Sequence, residues 1–197
     1  WSCSGCTGTF ILEYGPTGFT PGTGATAGVG GTVINPATSP QLISGLTGST
    51  SYQVYVRQNC AGFFGSNSNV ASFSTLPVND LCANAIPLSC GGAAVTGTTV
   101  GATIDAVGTC GTALGTAGGV WYTIVGAGTN ITVSTCIGTT FDTKLGVFTG
   151  SCGAFTCVAG NDDACGLQSS VTFSTTLGTT YYILVTGFGT ATGAFTL

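Results

Sequence analysis

Runs of alternating apolar and polar residues, cut by Gly, Thr and Ser turns, recur along this chain and narrow what it can fold into. In Thr9–Gly15 (TFILEYG) the alternation puts Phe10, Leu12 and Tyr14 on one face. In Tyr52–Gln58 (YQVYVRQ) it does the same for Tyr52, Val54 and Val56. Val70–Leu76, Gly119–Val125, Asn130–Cys136 and Thr180–Phe188 repeat the pattern. A period of two marks a strand with one face buried. The 34 glycines and the abundant threonine fit short strands joined by tight turns. One helical turn is predicted, within Asn79–Leu88 (NDLCANAIPL), with Asn79 or Asp80 as its cap and Pro87 as its stop. The expected class is all-β, as two β-sandwich domains in tandem. The pattern changes after Pro77, so the boundary falls between 1–77 and 78–197.

Charge narrows the function. The chain has two basic and six acidic side chains, 4% charged against a globular norm of about 25%. Arg57 and Lys144 cannot neutralise a run of phosphates, so nucleic acid is excluded as a partner, and an anionic membrane surface with it. No apolar run is long enough for membrane insertion by a helix. The chain has no His, which removes Ser-His-Asp and Cys-His nucleophile systems and HExxH zinc sites. Ser-x-x-Lys is missing, and a glycosidase pair of opposed carboxylates is not in view, with Glu13 in the other domain. The glycine-rich Gly187–Gly193 opens no helix and reads as a turn. The chain is expected not to be an enzyme.

Ten cysteines, an even number, point to disulfides and a secreted or cell-surface location. Cys152 and Cys157 lie on one predicted hairpin, at a spacing that suits a cross-strand bond. Proximity in sequence suggests Cys90 with Cys110 and Cys136 with Cys165. Cys3 and Cys6 form a C-x-x-C without a thioredoxin-like context, so a local bond or a bond to Cys60 is expected. The sequon Asn130–Thr132 (NIT), with the many Thr and Ser, offers sites for solubilising sugars.

Half of the charged residues fall in Phe141–Gly166 (FDTKLGVFTGSCGAFTCVAGNDDACG). A hairpin centred near Cys152 brings Asp142 towards Asn161, Asp162 and Asp163 at its open end. Two readings stand. Carboxylates and an amide suit a hard cation such as calcium; Asp and Asn also terminate strands and build Asx-turns. Tyr14, Phe19, Phe63 and Phe64 are candidate surface aromatics for a glycan or another subunit, or else anchors for loops.

Leu42–Gly62 (LISGLTGSTSYQVYVRQNCAG) followed by ASFST resembles a fibronectin type III domain, with Leu46 and Tyr52 matching its tyrosine-corner strand. The resemblance implies that the phenol bonds back to the preceding turn. It also implies that the first strand and most of the second are absent. NDLCANAIPL, GVWYTIVG, FDTKLGVFTGSC, GNDDACG and TTYYILVTGF…GAFTL resemble the bacterial pre-peptidase C-terminal (PPC-like) domain. That implies a jelly-roll sandwich appended to secreted proteins, sometimes with calcium. Both ends look clipped against these families. The expected function is a structural segment or protomer of an extracellular bacterial fibre or modular adhesin, partnered by copies of itself or adjacent modules. The alternative is a non-catalytic, calcium-assisted module, binding polysaccharide or protein, on a secreted hydrolase.

Overall fold

The computed structural model describes residues 8–197, so Cys3 and Cys6 lie outside the described residues. The fold is all-β, with several sheets in an arrangement consistent with a β-sandwich. The chain divides into two compact units, Trp1–Thr75 and Leu76–Leu197.

Unit 1 holds β1 (Thr9–Pro16), β2 (Thr32–Ala37), β3 (Ser51–Cys60), β4 (Phe63–Phe64) and β5 (Ala71–Ser74). They form one five-stranded sheet in the order β2-β1-β3-β4, with β5 also pairing β3. Tyr14 faces Val54 and Leu12 faces Val56 across β1 and β3, as the alternation predicts. The other face is not solvated: Ile11, Glu13 and Arg57 on it are also buried. Glu13 and Arg57, the chain's only Glu and only Arg, sit on diagonal cross-strand positions. They form an ion pair at 2.5 Å with 0–1% of either side chain exposed. The Arg57 guanidinium also donates to Gly24 O (2.5 Å), Thr26 O (3.0 Å) and Asn67 Oδ1 (3.0 Å). The Gly22 and Gly28 N–H groups donate to the Glu13 carboxylate, Gly28 at 2.6 Å. Both glycines are required by close approach, since a Cβ on Gly22 would collide with Thr26 O and one on Gly28 with Thr20 O. The loop between β1 and β2 is thus pinned from inside by charge. Burial pushes the Glu13 carboxyl up, but the Gly28, Arg57 and Gly22 donors outweigh it and hold it below its ordinary value.

Tyr52 Oη accepts the Thr47 N–H at 3.0 Å, the bond expected of a tyrosine corner. In unit 2, Tyr181 Oη accepts the Thr176 N–H at 2.9 Å with the same five-residue offset. A turn followed by a strand-opening tyrosine is therefore used twice.

Unit 2 opens with a 3₁₀ turn, Cys82–Asn84, in place of the predicted capped helical turn. Its N-cap is Leu81, without a side-chain bond. Asn79 and Asp80 are taken by distant partners. Asn79 Nδ2 donates to Trp121 O (2.9 Å), and Asp80 accepts the Thr103 N–H (2.6 Å) and hydroxyl (2.9 Å). Pro87 lies within a strand rather than ending a helix. The strands are β6 (Ile86–Leu88), β7 (Thr96–Thr98), β8 (Thr109–Cys110), β9 (Thr112–Ala113), β10 (Val120–Val125), β11 (Asn130–Ser134), β12 (Thr143–Ser151), β13 (Ala154–Asn161), β14 (Ser170–Ser174), β15 (Thr180–Gly187) and β16 (Ala194–Thr196). The main sheet runs β13-β12-β15-β10-β6, beside two-stranded ribbons β11-β14, β16-β7 and β8-β9. Pro87 is tolerated because β6 is an edge.

Both faces of the main sheet are covered. Val120, Tyr122, Ile183, Val185, Leu145 and Val147 pack with Ile131, Val133 and Phe173 of the β11-β14 ribbon. On the reverse side Trp121, Phe148 and Leu184 pack with Cys110 and Leu114. The Trp121 ring stacks on Phe155 at 4.8 Å between centroids. Two-sided burial explains why β10 and β15 are apolar almost throughout instead of strictly alternating.

Among the described residues, three disulfides join Cys82–Cys152, Cys110–Cys157 and Cys136–Cys165. The last is the pair that proximity suggested. Cys152–Cys157 and Cys90–Cys110 are corrected. Cys152 occupies the two-residue β12–β13 turn, while the residue facing Cys157 is Phe148, so no cysteine lies across the hairpin from Cys157. Each of the two instead reaches the 82–110 segment, and Cys90 is left as an exposed thiol. No helix among the described residues is long and apolar enough to cross a membrane. The disulfides point to an oxidising environment.

Candidate metal centre and surface aromatics

The acidic residues gather where the main hairpin opens. Asp142 precedes β12 and Asp162 and Asp163 follow β13, just beyond the last pairs, Leu145 with Asn161. Their carboxylates come within 4.8 Å of one another. Beneath them lies a fully buried hydroxyl network. Thr135 Oγ1 and Thr143 Oγ1 are 2.7 Å apart, and the Ser169 N–H donates to both at 3.1 Å. The Ser169 hydroxyl is directed at the Thr143 carbonyl (2.5 Å), the Asn161 carbonyl (3.1 Å) and that of Asp162. The Cys136–Cys165 bond ties the loop after Asp163 to the chain leaving β11. The cluster therefore rests on a rigid base.

The charges do not balance locally. Lys144, buried along β12, lies 3.3 Å from Asp162 Oδ2. It donates to Ala113 O at 3.0 Å and sits 4.5 Å above the Phe188 ring. Thr112 Oγ1 also donates to Asp162 Oδ2, at 3.2 Å. Asp142 Oδ1 and Asp162 Oδ1 are buried atoms with no hydrogen-bond partner. Burial, with Asp162 and Asp163 alongside, raises the Asp142 carboxyl above its ordinary value, and Lys144 only partly offsets this. Three carboxylates, two of them with an orphaned inward oxygen, fit a hard divalent cation. Asn161 stands apart from the predicted set: its Oδ1 accepts the Ser170 N–H at 3.0 Å and serves the β13–β14 connection.

The predicted aromatics separate. Phe63 is 82% exposed and Phe64 43%, side by side on β4. Phe19 is a loop anchor rather than a free surface ring. It meets Tyr55 edge-on at 5.6 Å and lies close against Gly15 and Gly31. Tyr14 is half-buried on the sheet face it shares with Val54.

Sequence reasoning missed a second acidic site. Asp105 Oδ1 accepts the Trp121 indole N–H at 2.9 Å, while Oδ2 is buried without a partner. Burial, joined by the negative Asp80, raises the Asp105 pKa to about 6 against the pull of the indole. A carboxyl raised in the folded state binds more protons than in the unfolded chain between about pH 4 and 6. Its contribution is full below that window and is lost as pH rises through it. Asp105→Asn keeps the acceptor for Trp121 and removes the charge. It is expected to add about 1–2 kcal/mol at pH 7.5, discounted for partial solvent exposure, and nothing at pH 3.5. Equal melting shifts at both pH values would refute the assignment.

No family model, curated protein or solved structure matches the chain.

Proposed function

We propose that the chain is a structural segment or protomer of an extracellular bacterial fibre or modular surface adhesin. In this reading unit 1 is fibronectin type III-like, unit 2 is PPC-like, and neighbouring modules or subunits complete unit 1. One observation carries the proposal: the charges are inside. Glu13, Arg57, Asp80 and Lys144 are buried, Asp105, Asp142 and Asp162 are half-buried, and Asp163 alone among the charged side chains is exposed. With one exposed charged side chain and a net charge of −4, such a surface opposes association only weakly. Val29, Leu42, Phe63, Ile137 and Leu177 are each more than three-quarters exposed on it. A second observation agrees. Both apolar core clusters among the described residues belong to unit 2. Among the described residues unit 1 buries only Ile11, Leu12, Ala37 and Tyr52 as apolar side chains. A domain with so small a core needs help from outside itself. Electron microscopy of the native material should show filaments or a surface array. A monodisperse, stable monomer across the accessible concentration range would defeat the reading.

The acidic cluster favours a second reading, a calcium-assisted module binding polysaccharide or protein on a secreted hydrolase. Asp142, Asp162 and Asp163 would hold the ion, which would supply the positive charge that Lys144 alone does not. Millimolar calcium is then expected to raise the melting temperature by several degrees and EDTA to reverse it. An unchanged melting curve would leave the cluster as strand-end turn chemistry.

A further inference from the structure

A groove in unit 2 offers a place for one more strand. The phase of the β11–β14 ladder is set at its ends, where Thr175 N–H donates to Thr129 O (3.1 Å) and Thr135 N–H to Ser169 O (2.9 Å). With Ile131 facing Phe173 and Val133 facing Val171, those odd positions exchange the ladder bonds. The N–H and C=O groups of Asn130, Thr132 and Ser134 therefore point away from β14. No strand among the described residues pairs with that edge.

The edge borders a cavity of about 550 Å³. Ile124, Ile131, Val133, Leu88, Val95 and Leu197 give it apolar walls, and the Ser89–Ala94 connection closes one side. β11 offers about 17 Å of open ladder at the usual rise per residue. Outward backbone groups along an apolar trough specify an extended peptide, with the ladder binding its main chain and the walls taking alternate side chains.

We propose that this groove accepts an extended segment of a second copy of the chain, by strand addition to β11. The inference rests on the assembly reading above and names the surface that would carry it. The lining contains no charged residue, so a charged side chain entering it would be buried unpaired. An ordinary protein is about one-quarter charged, so a five-residue strand from it brings about one charge. This chain, with two basic and six acidic residues in 197, supplies uncharged strand-forming segments throughout. Like chains are therefore the partner whose chemistry matches.

The test uses the full chain in sedimentation velocity at rising concentration, with amide exchange before and after assembly. In Thr132→Pro the lost N–H is one that points outward, so an edge position accepts the ring without losing a ladder bond. Thr132→Lys, at an exposed side chain, places a charge beside the edge and guards against a proline-specific fold defect. The expected result is assembly of the parent chain with at least tenfold slower exchange at Asn130, Thr132 and Ser134. Alkylation of Cys90 by a maleimide should slow in parallel. Both variants should stay monomeric with melting temperatures near that of the parent. Assembly of both variants like the parent overturns the groove and leaves the fibre reading standing. Protection of those amides already in the monomer overturns it too, by showing the edge filled within one chain. A parent chain that never assembles overturns both.

Discussion

Replacing Glu13 with Gln is expected to strip unit 1 of most of its stability, by about 3–5 kcal/mol, the range for breaking a buried ion pair on one side. The substitution leaves the Arg57 guanidinium charged and buried, with Gly24 O, Thr26 O and Asn67 Oδ1 as its remaining acceptors among the described residues. It also keeps one acceptor where there were two, so its amide donor must face either the Gly28 N–H or the Arg57 guanidinium, both of which need acceptors. Among its described residues unit 1 has little apolar core to absorb the loss. Amide exchange along β1 and β3 should therefore accelerate by about a hundredfold or more, while the β10 and β15 amides of unit 2 keep their protection. Replacing both partners, as Glu13→Leu with Arg57→Met, should destabilise far less than the two single changes together, because no charge is left orphaned. The depressed Glu13 carboxyl adds a pH signature. Its contribution is present above the ordinary glutamate pKa and is lost as pH falls through the lowered folded value. Additive single and double variants would show that the pair is not the pin of the β1–β2 loop.

Much of the strand pattern was legible in the sequence because the alternation is local. Thr9–Gly15, Tyr52–Gln58 and Asn130–Cys136 all fall on strands within a residue or two of their expected ends. What alternation cannot show is the second face of a sheet. The Leu and Trp positions of β10 and β15 that pack on Cys110 and Leu114 come from contacts far apart in sequence. The same limit hid the two disulfides of the main hairpin. Cys152 and Cys157 look paired when only the hairpin is considered, yet their partners lie 70 and 47 residues away. The acidic cluster is visible because carboxylates are so rare here; the hairpin register brings Asn161 to the same end, but its amide oxygen is taken by the Ser170 N–H. The Glu13–Arg57 pair left one signal, the only Glu and the only Arg on two alternating strands of one unit. Asp105 left none, since its partner is an indole 16 residues away.

The Cys82–Cys152 bond should be the largest single covalent contribution to unit 2. It closes a separation of 70 residues, with Cα atoms 5.7 Å apart, and joins the 3₁₀ turn to the tip of the β12–β13 hairpin. The chain-entropy relation assigns about 4 kcal/mol to a loop of that length. The position raises the consequence. Cys82 packs against the cluster of Cys110, Leu114, Trp121, Phe148 and Leu184, the smaller of the two cores. Without the bond, the hairpin tip is held to that cluster by Cys110–Cys157 and by the stacking of Phe155 on Trp121. Cys82→Ser with Cys152→Ser should therefore lower stability by about 4 kcal/mol. The loss should be local at first: faster exchange near Cys82 and at the hairpin tip, and a Trp121 fluorescence change that precedes the main melt. Protection at Ile131, Val133 and Phe173, on the opposite face of the main sheet, should persist to higher temperature. The Cys136–Cys165 bond closes a separation of only 29 residues and touches neither core cluster, so its paired removal should have a smaller effect. If the two double variants melt alike, the hairpin tip is held by packing rather than by the disulfide, and the smaller core is sturdier than its size implies.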